Sequence, residues 1–116
     1  MKKAFLFASC IAFFANFGFA GTSVDITACE NGNAEECAKV GDYFCLTAKD
    51  YTKAKKYYEL ARESGNIRGI FGLAILYANG YGVDKNPEKV KFYCEEARRI
   101  NPSDGRFLVI CGGQAK

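Results

Sequence analysis

The chain has 116 residues, six cysteines, no histidine and a formal charge of +3. That excludes a Ser-His-Asp or Cys-His catalytic set and any histidine metal ligand, and so small a charge does not steer nucleic acid to a surface. The length suits one small domain.

The first element is a leader. Lys2 and Lys3 precede a nearly uncharged run from Ala4 to Ala20, which holds six of the ten Phe and ends Gly18-Phe19-Ala20. A basic start, an apolar middle and a small-x-Ala end predict a secretory signal over 1–20, cut after Ala20. A membrane anchor fits less well, because spanning takes about 20 apolar residues and Ser9, Asn16 and Gly18 interrupt this run. A lipoprotein signal would use Cys10, which only six residues separate from Lys3. Removing the leader leaves 14 basic against 13 acidic residues, so no long-range field draws in DNA or anionic lipid. Cys29, Cys37, Cys45, Cys94 and Cys111 remain, and in the periplasm or outside the cell they read first as disulfide partners.

Helix signals follow in order. A short turn is expected near 23–30, then helices over 34–47, 50–63, 67–79, 87–99 and 103–112, with a frayed tail over 114–116. Gly32-Asn33 and Gly65-Asn66 each supply a left-handed C′ glycine and then an Asn N-cap. Glu36 stands three after Asn33, as in a capping box. Asn86-Pro87 and Asn101-Pro102 put proline at the first helical position behind an Asn cap. Val40, Phe44 and Ala48 fall on one face, as do Ala54, Tyr57, Tyr58 and Ala61, and again Ile70, Leu73, Ala74 and Tyr77. The plain reading of such periodic apolar residues is interhelical core.

A repeat runs through this region. Cys29 to Ala34 aligns with Arg62 to Ile67 at an offset of 33, and Lys53-Ala54-x-x-Tyr57-Tyr58-x-x-Ala61-Arg62 aligns with Lys89-Val90-x-x-Tyr93-Cys94-x-x-Ala97-Arg98 at 36. Periods of this size with helical patterning signify stacked helix pairs, here over about 30–64 and 66–99 within a domain of 21–113. Short connections make neighbouring helices antiparallel.

Leu73-Ala74-Ile75-Leu76-Tyr77-Ala78-Asn79-Gly80-Tyr81-Gly82-Val83, followed by Lys89-Val90 and Phe92-Tyr93, resembles a Sel1-like repeat, a relative of the tetratricopeptide repeat. The resemblance implies an all-α, right-handed α/α solenoid in which Val83 turns back into the core. The first repeat departs from it: Cys45 to Tyr51 lacks the glycine loop. Cys29-x7-Cys37 is similar to the cysteine-rich secreted bacterial members, where such a pair staples one helix end to the next helix start. Residues facing each other across a turn share a nearly constant sum. Arg98 and Arg106 give 204, and Cys94 and Cys111 give 205. The expected bridges are therefore Cys29–Cys37 and Cys94–Cys111, out of fifteen two-bridge arrangements. Cys45 is left unpaired, either as a small buried side chain or as an accessible thiol that pairs with another chain.

By analogy with tetratricopeptide helices, the inner groove would carry Glu35, Ala38, Asp42 and Cys45 from the first repeat, with Arg68, Phe71, Ile75 and Asn79 from the second. This implies a non-catalytic module for a protein or peptide ligand, with no cofactor, no metal and no membrane contact after signal cleavage. Two repeats are few for a solenoid, so the bridges and terminal helix make up the shortfall or the chain forms a homodimer. Members of the cysteine-rich group carry a β-lactamase label, which makes a β-lactam hydrolase the alternative. No serine has a lysine three residues on, and Thr52-x-x-Lys55 is the nearest match to a Ser-x-x-Lys site. A secreted host-directed effector is a third reading.

Overall fold

The computed structural model describes residues 24–106 and 110–112. The expected signal over 1–20 and tail over 114–116 lie outside these residues. Among the described residues these α-helices follow in order: α1 Ile26–Glu30, α2 Ala34–Asp42, α3 Tyr51–Glu63, α4 Ile67–Asn79 and α5 Pro87–Ile100. No strand occurs among the described residues.

Side-chain caps set each start. Asp25, Asn33, Asp50, Asn66 and Asn86 each accept from the backbone N–H three residues on, satisfying a donor that has no partner inside the helix. The capping box is half made: Asn33 Oδ1 takes the Glu36 N–H at 3.1 Å, while the Glu36 carboxylate turns to Lys39 Nζ at 3.2 Å. The repeat is written in backbone hydrogen bonds. Asn33 N donates to Ala28 O and, 33 residues later, Asn66 N donates to Ala61 O, both at 3.0 Å.

Three boundaries differ from the sequence reading. The first long helix does not run uniformly over 34–47. It widens into a π-helical turn at Tyr43–Thr47, and Ala48, expected on the apolar face, is exposed. The chain then reverses through Lys49 at φ 57°. The last helix does not start at 103. Asn101 Oδ1 accepts from Ser103 N, two residues on rather than three, so it shapes a turn. Asp104 Oδ1 takes the Arg106 N–H at 2.9 Å instead, and Arg106 is the first helical residue. Residues 107–109 of that expected helix lie outside the described set. The opening turn, expected over 23–30, is α1.

Consecutive helices pack on each other, and α2 also meets α4. The core has two parts. The smaller gathers Cys29, Cys37, Ala38, Val40, Tyr57 and Ala61. The larger centres on Tyr58, Ile70, Phe71, Leu73, Leu76 and Tyr93 and includes Cys45, with Val83 packed against it from the glycine loop. Phe44 packs against both parts. Each part holds one disulfide: Cys29–Cys37, with Cα atoms 4.6 Å apart, and Cys94–Cys111, with Cα atoms 6.1 Å apart.

Tyr58 sets the spacing of the inner helices. A Cβ on Gly41 would stand 2.6 Å from its ring, and one on Gly72 would stand 2.4 Å from it. Only hydrogen at both positions lets α2 and α4 close on the ring from two sides.

Candidate functional site

Where α2, α3 and α4 meet, their polar side chains join. Arg68, one residue into α4, extends toward α2. Its Nε lies 2.8 Å and its Nη2 2.6 Å from Asp42 Oδ2. Its Nη1 donates to Glu35 Oε2 at 3.0 Å, and Asn66 Nδ2 donates to Glu35 Oε1 at 3.0 Å. From α3, the Tyr58 hydroxyl donates to Asp42 Oδ1 at 2.5 Å. Both carboxylates are thus met by donors from a later repeat element, which ties the two repeats together with charge-assisted hydrogen bonds.

The environment shifts several protonation equilibria. The Asn66 hydrogen bond first, and the Arg68 guanidinium after it, hold the Glu35 carboxyl below its ordinary range. Burial, and then the hydrogen bond to Asp42, push the Tyr58 phenol far above ordinary titration. The Cys45 thiol is raised by burial first and by the Asp42 charge second. A raised thiol pKa suppresses the thiolate, the form that attacks electrophiles and exchanges with disulfides.

These facts redraw the expected groove. Glu35, Asp42 and Arg68 do come together, but they engage each other. Phe71 is 2% exposed and belongs to the core, with the Arg106 guanidinium 5.1 Å over its ring. Ala38 is fully buried and Cys45 is 4% exposed, so neither lines an open surface. The reading of Cys45 as an accessible thiol therefore gives way to the buried one, and the thiol is unbridged. Ile75 is half-buried and Asn79 is exposed, its side chain turned back onto Ile75 O at 3.0 Å. The chain's own terminal segment thus lays a cation over Phe71, a residue expected to line the groove. Asp104 grips that cation, with its Oδ1 2.9 Å from Arg106 Nε and its Oδ2 2.7 Å from Nη2.

Sequence reasoning missed Tyr58, Asn66 and Arg106. Tyr58 was read as core alone, although a buried phenol needs a hydrogen-bond partner and Asp42 was within one repeat of it. Asn66 was read only as a cap, and its second bond, to Glu35, is made across the fold, as is the approach of Arg106 to Phe71.

Elsewhere the chemistry is sparse. Thr52 is exposed and Lys55 reaches Glu59 at 3.7 Å. Among the described residues no group of three or more acidic or thiol side chains is placed to hold a metal ion, and no helix is long and apolar enough to cross a membrane.

The likeness to a known protein is local. The chain is 46% identical over 41 residues to a Helicobacter pylori (strain J99) protein named "Putative beta-lactamase HcpC". The stretch is 35% of this chain and 14% of that relative, so the chain spans only a small part of the relative's length. No family model matches the chain, and no solved structure matches it. An all-helical, twice disulfide-bonded chain with a partial relative in HcpC is consistent with the Sel1-like resemblance.

Proposed function

We propose that the chain is an exported Sel1-like repeat protein, a right-handed α/α solenoid cut after Ala20, that docks a protein or peptide and performs no chemistry itself. The observation that carries this reading is the repeated scaffold. The same backbone hydrogen bond recurs at Asn33 and Asn66, and the two repeats are pinned side by side by Arg68 of α4, which pairs with Glu35 and Asp42 of α2, and by Arg62, whose Nε lies 2.7 Å from Glu96 Oε1 on α5. Solenoids of this kind present surface rather than reactive groups. The two disulfides support an oxidising location, periplasmic or extracellular. The ligand would meet the half-open rim of the Glu35–Arg68 network, together with Ile75 and Asn79. The test is site-specific photocrosslinking in intact cells. A crosslinker at Asn79 should give a discrete protein adduct that one at Thr52 does not give, and adducts at neither position would defeat the reading.

The likeness to HcpC favours a second reading, β-lactam binding or slow hydrolysis. Nitrocefin turnover by the wild type that Thr52→Ala abolishes would establish it. Equal, background rates in both proteins would remove it. Recovery of the protein only from culture supernatant would favour a host-directed effector over a periplasmic adaptor.

A further inference from the structure

The opposite end of α4 from the ionic network carries a depression of about 200 Å³. Its walls come from three places: Tyr77 and Ala78 at the end of α4, Lys85, Asn86 and Pro87 before and at the start of α5, and Ile110 from the terminal segment, with Val90 as a further wall. Tyr77 and Val90 are buried, so the floor is apolar and already packed. The lip is fixed by backbone geometry. Asn86 N donates to Tyr77 O at 3.1 Å and Tyr81 N to Leu76 O at 2.9 Å, with Gly80 in the left-handed region at φ 72°. A site whose shape is set before binding loses little freedom when a ligand enters.

Two lysines stand at or beside this lip. Lys85 lines it, and Lys89 Nζ lies 5.4 Å over the Tyr77 ring that forms the floor. Neither ammonium makes an ion pair among the described residues, while Lys39, Lys55, Arg62, Arg68 and Arg106 all do. Asn86 Oδ1 is occupied by the Lys89 N–H at 3.1 Å, which turns its amide nitrogen, a further donor, away from the cap. Donors and positive charge therefore stand beside an apolar floor. The volume is below the ~300 Å³ at which drug-sized sites begin, so it suits one side-chain-sized group.

We propose that this depression binds an apolar monocarboxylate: one aliphatic or aromatic group of roughly leucine size, seated on Tyr77, Val90 and Ile110, with its carboxylate facing Lys85, Lys89 and the Asn86 amide. The site is separate from the Glu35–Arg68 network and does not depend on the docking function proposed above.

The test titrates the oxidised protein with 4-methylpentanoate and, in parallel, with the isosteric 4-methylpentanamide, following backbone amides by nuclear magnetic resonance. The acid should shift Ala78, Asn86 and Val90, and the amide should bind about three- to tenfold more weakly, as expected for losing a charge-assisted contact at a partly exposed site. Lys85→Gln with Lys89→Gln should erase the preference for the acid, while the aliphatic group still locates the depression. Ala78→Phe, at an exposed position that leaves the core intact, should abolish binding of both probes with helicity unchanged. Equal affinity for acid and amide overturns the proposal. So does an unchanged acid preference in the double lysine variant, or shifts confined to the Arg68 and Arg106 region.

Discussion

The two repeats share one hydrogen-bond skeleton and end their first helices differently. In the second repeat, α4 stops at Gly80 with φ 72°, passes Gly82 with φ 71°, and returns Val83 to the core. In the first, no glycine stands at the corresponding place. The helix widens into the π-helical turn and reverses through Lys49 at φ 57°, a conformation that costs a side-chain-bearing residue roughly 1–2 kcal/mol. The loops meet in space, where Tyr51 and Tyr81 stack with ring centroids 4.8 Å apart. Equivalent residues elsewhere keep equivalent contacts: Lys53 lies 5.3 Å over Phe44 and Lys89 5.4 Å over Tyr77. Packing contacts are thus kept while the loops differ, because the packing positions face one another and most loop positions, Cys45 and Val83 aside, are exposed.

That contrast can be tested by perturbing each repeat in turn. The largest effect is expected from the bridges. Replacing Cys94 and Cys111 together by Ala should lower unfolding free energy by about 3 kcal/mol. The Cys29 and Cys37 pair should cost about 2.5 kcal/mol, since it closes the shorter loop. Urea midpoints give the ranking, and hydrogen exchange should show the second loss confined to α1 and the start of α2. A reversed order would mean that the small core depends on its staple more than loop entropy allows.

Next come the two glycines against Tyr58. Gly72→Ala and Gly41→Ala each drive a methyl into a ring that is 2% exposed and should cost about 2–3 kcal/mol. Gly105→Ala, with nothing within 4 Å of the new carbon, serves as the control. A loss at Gly72 alone would show that α2, with its π-helical end, yields where α4 does not.

Exchange of the loop solutions should move stability by less and in opposite directions. Gly80→Ala should cost about 1 kcal/mol, and Lys49→Gly should add about 0.5–1 kcal/mol, by thermal melts. No gain at Lys49 would mean that the π-helical turn, rather than the residue after it, carries the strain.

The smallest effects are in acid. The hydrogen bond from Arg106 holds the Asp104 carboxyl down from 3.8 to about 2. A depressed carboxyl stabilises the fold above its unfolded value and loses that contribution as pH falls through its folded value. Stability should therefore decline between about pH 4 and pH 2, and Asp104→Asn should flatten that limb. Glu35, shifted in the same direction, adds to the slope and ties it to the second network. Cys45 supplies a separate check: iodoacetamide should leave it unmodified in the folded protein and label it in denaturant, as burial and its raised pKa require.

Much of the architecture was legible in the residues alone. Asn caps after glycine, the 33-residue offset and the periodic Tyr, Leu and Ala positions depend on contacts a few residues apart, so local pattern suffices to place the helices and their order. The sum rule paired Cys94 with Cys111 and the structure bridges them, although Cys111 lies in a bend rather than on the expected helix. Tertiary structure alone decided what the inner face became. Whether Phe71 lined a groove or lay beneath Arg106, and whether Glu35, Asp42 and Arg68 waited for a ligand or bound one another, turned on groups tens of residues apart meeting in space, at 5.1 Å in the first case and at 3.0 Å or less in the second. Charge pairing and burial act over distance in space, and a linear string records only distance along the chain.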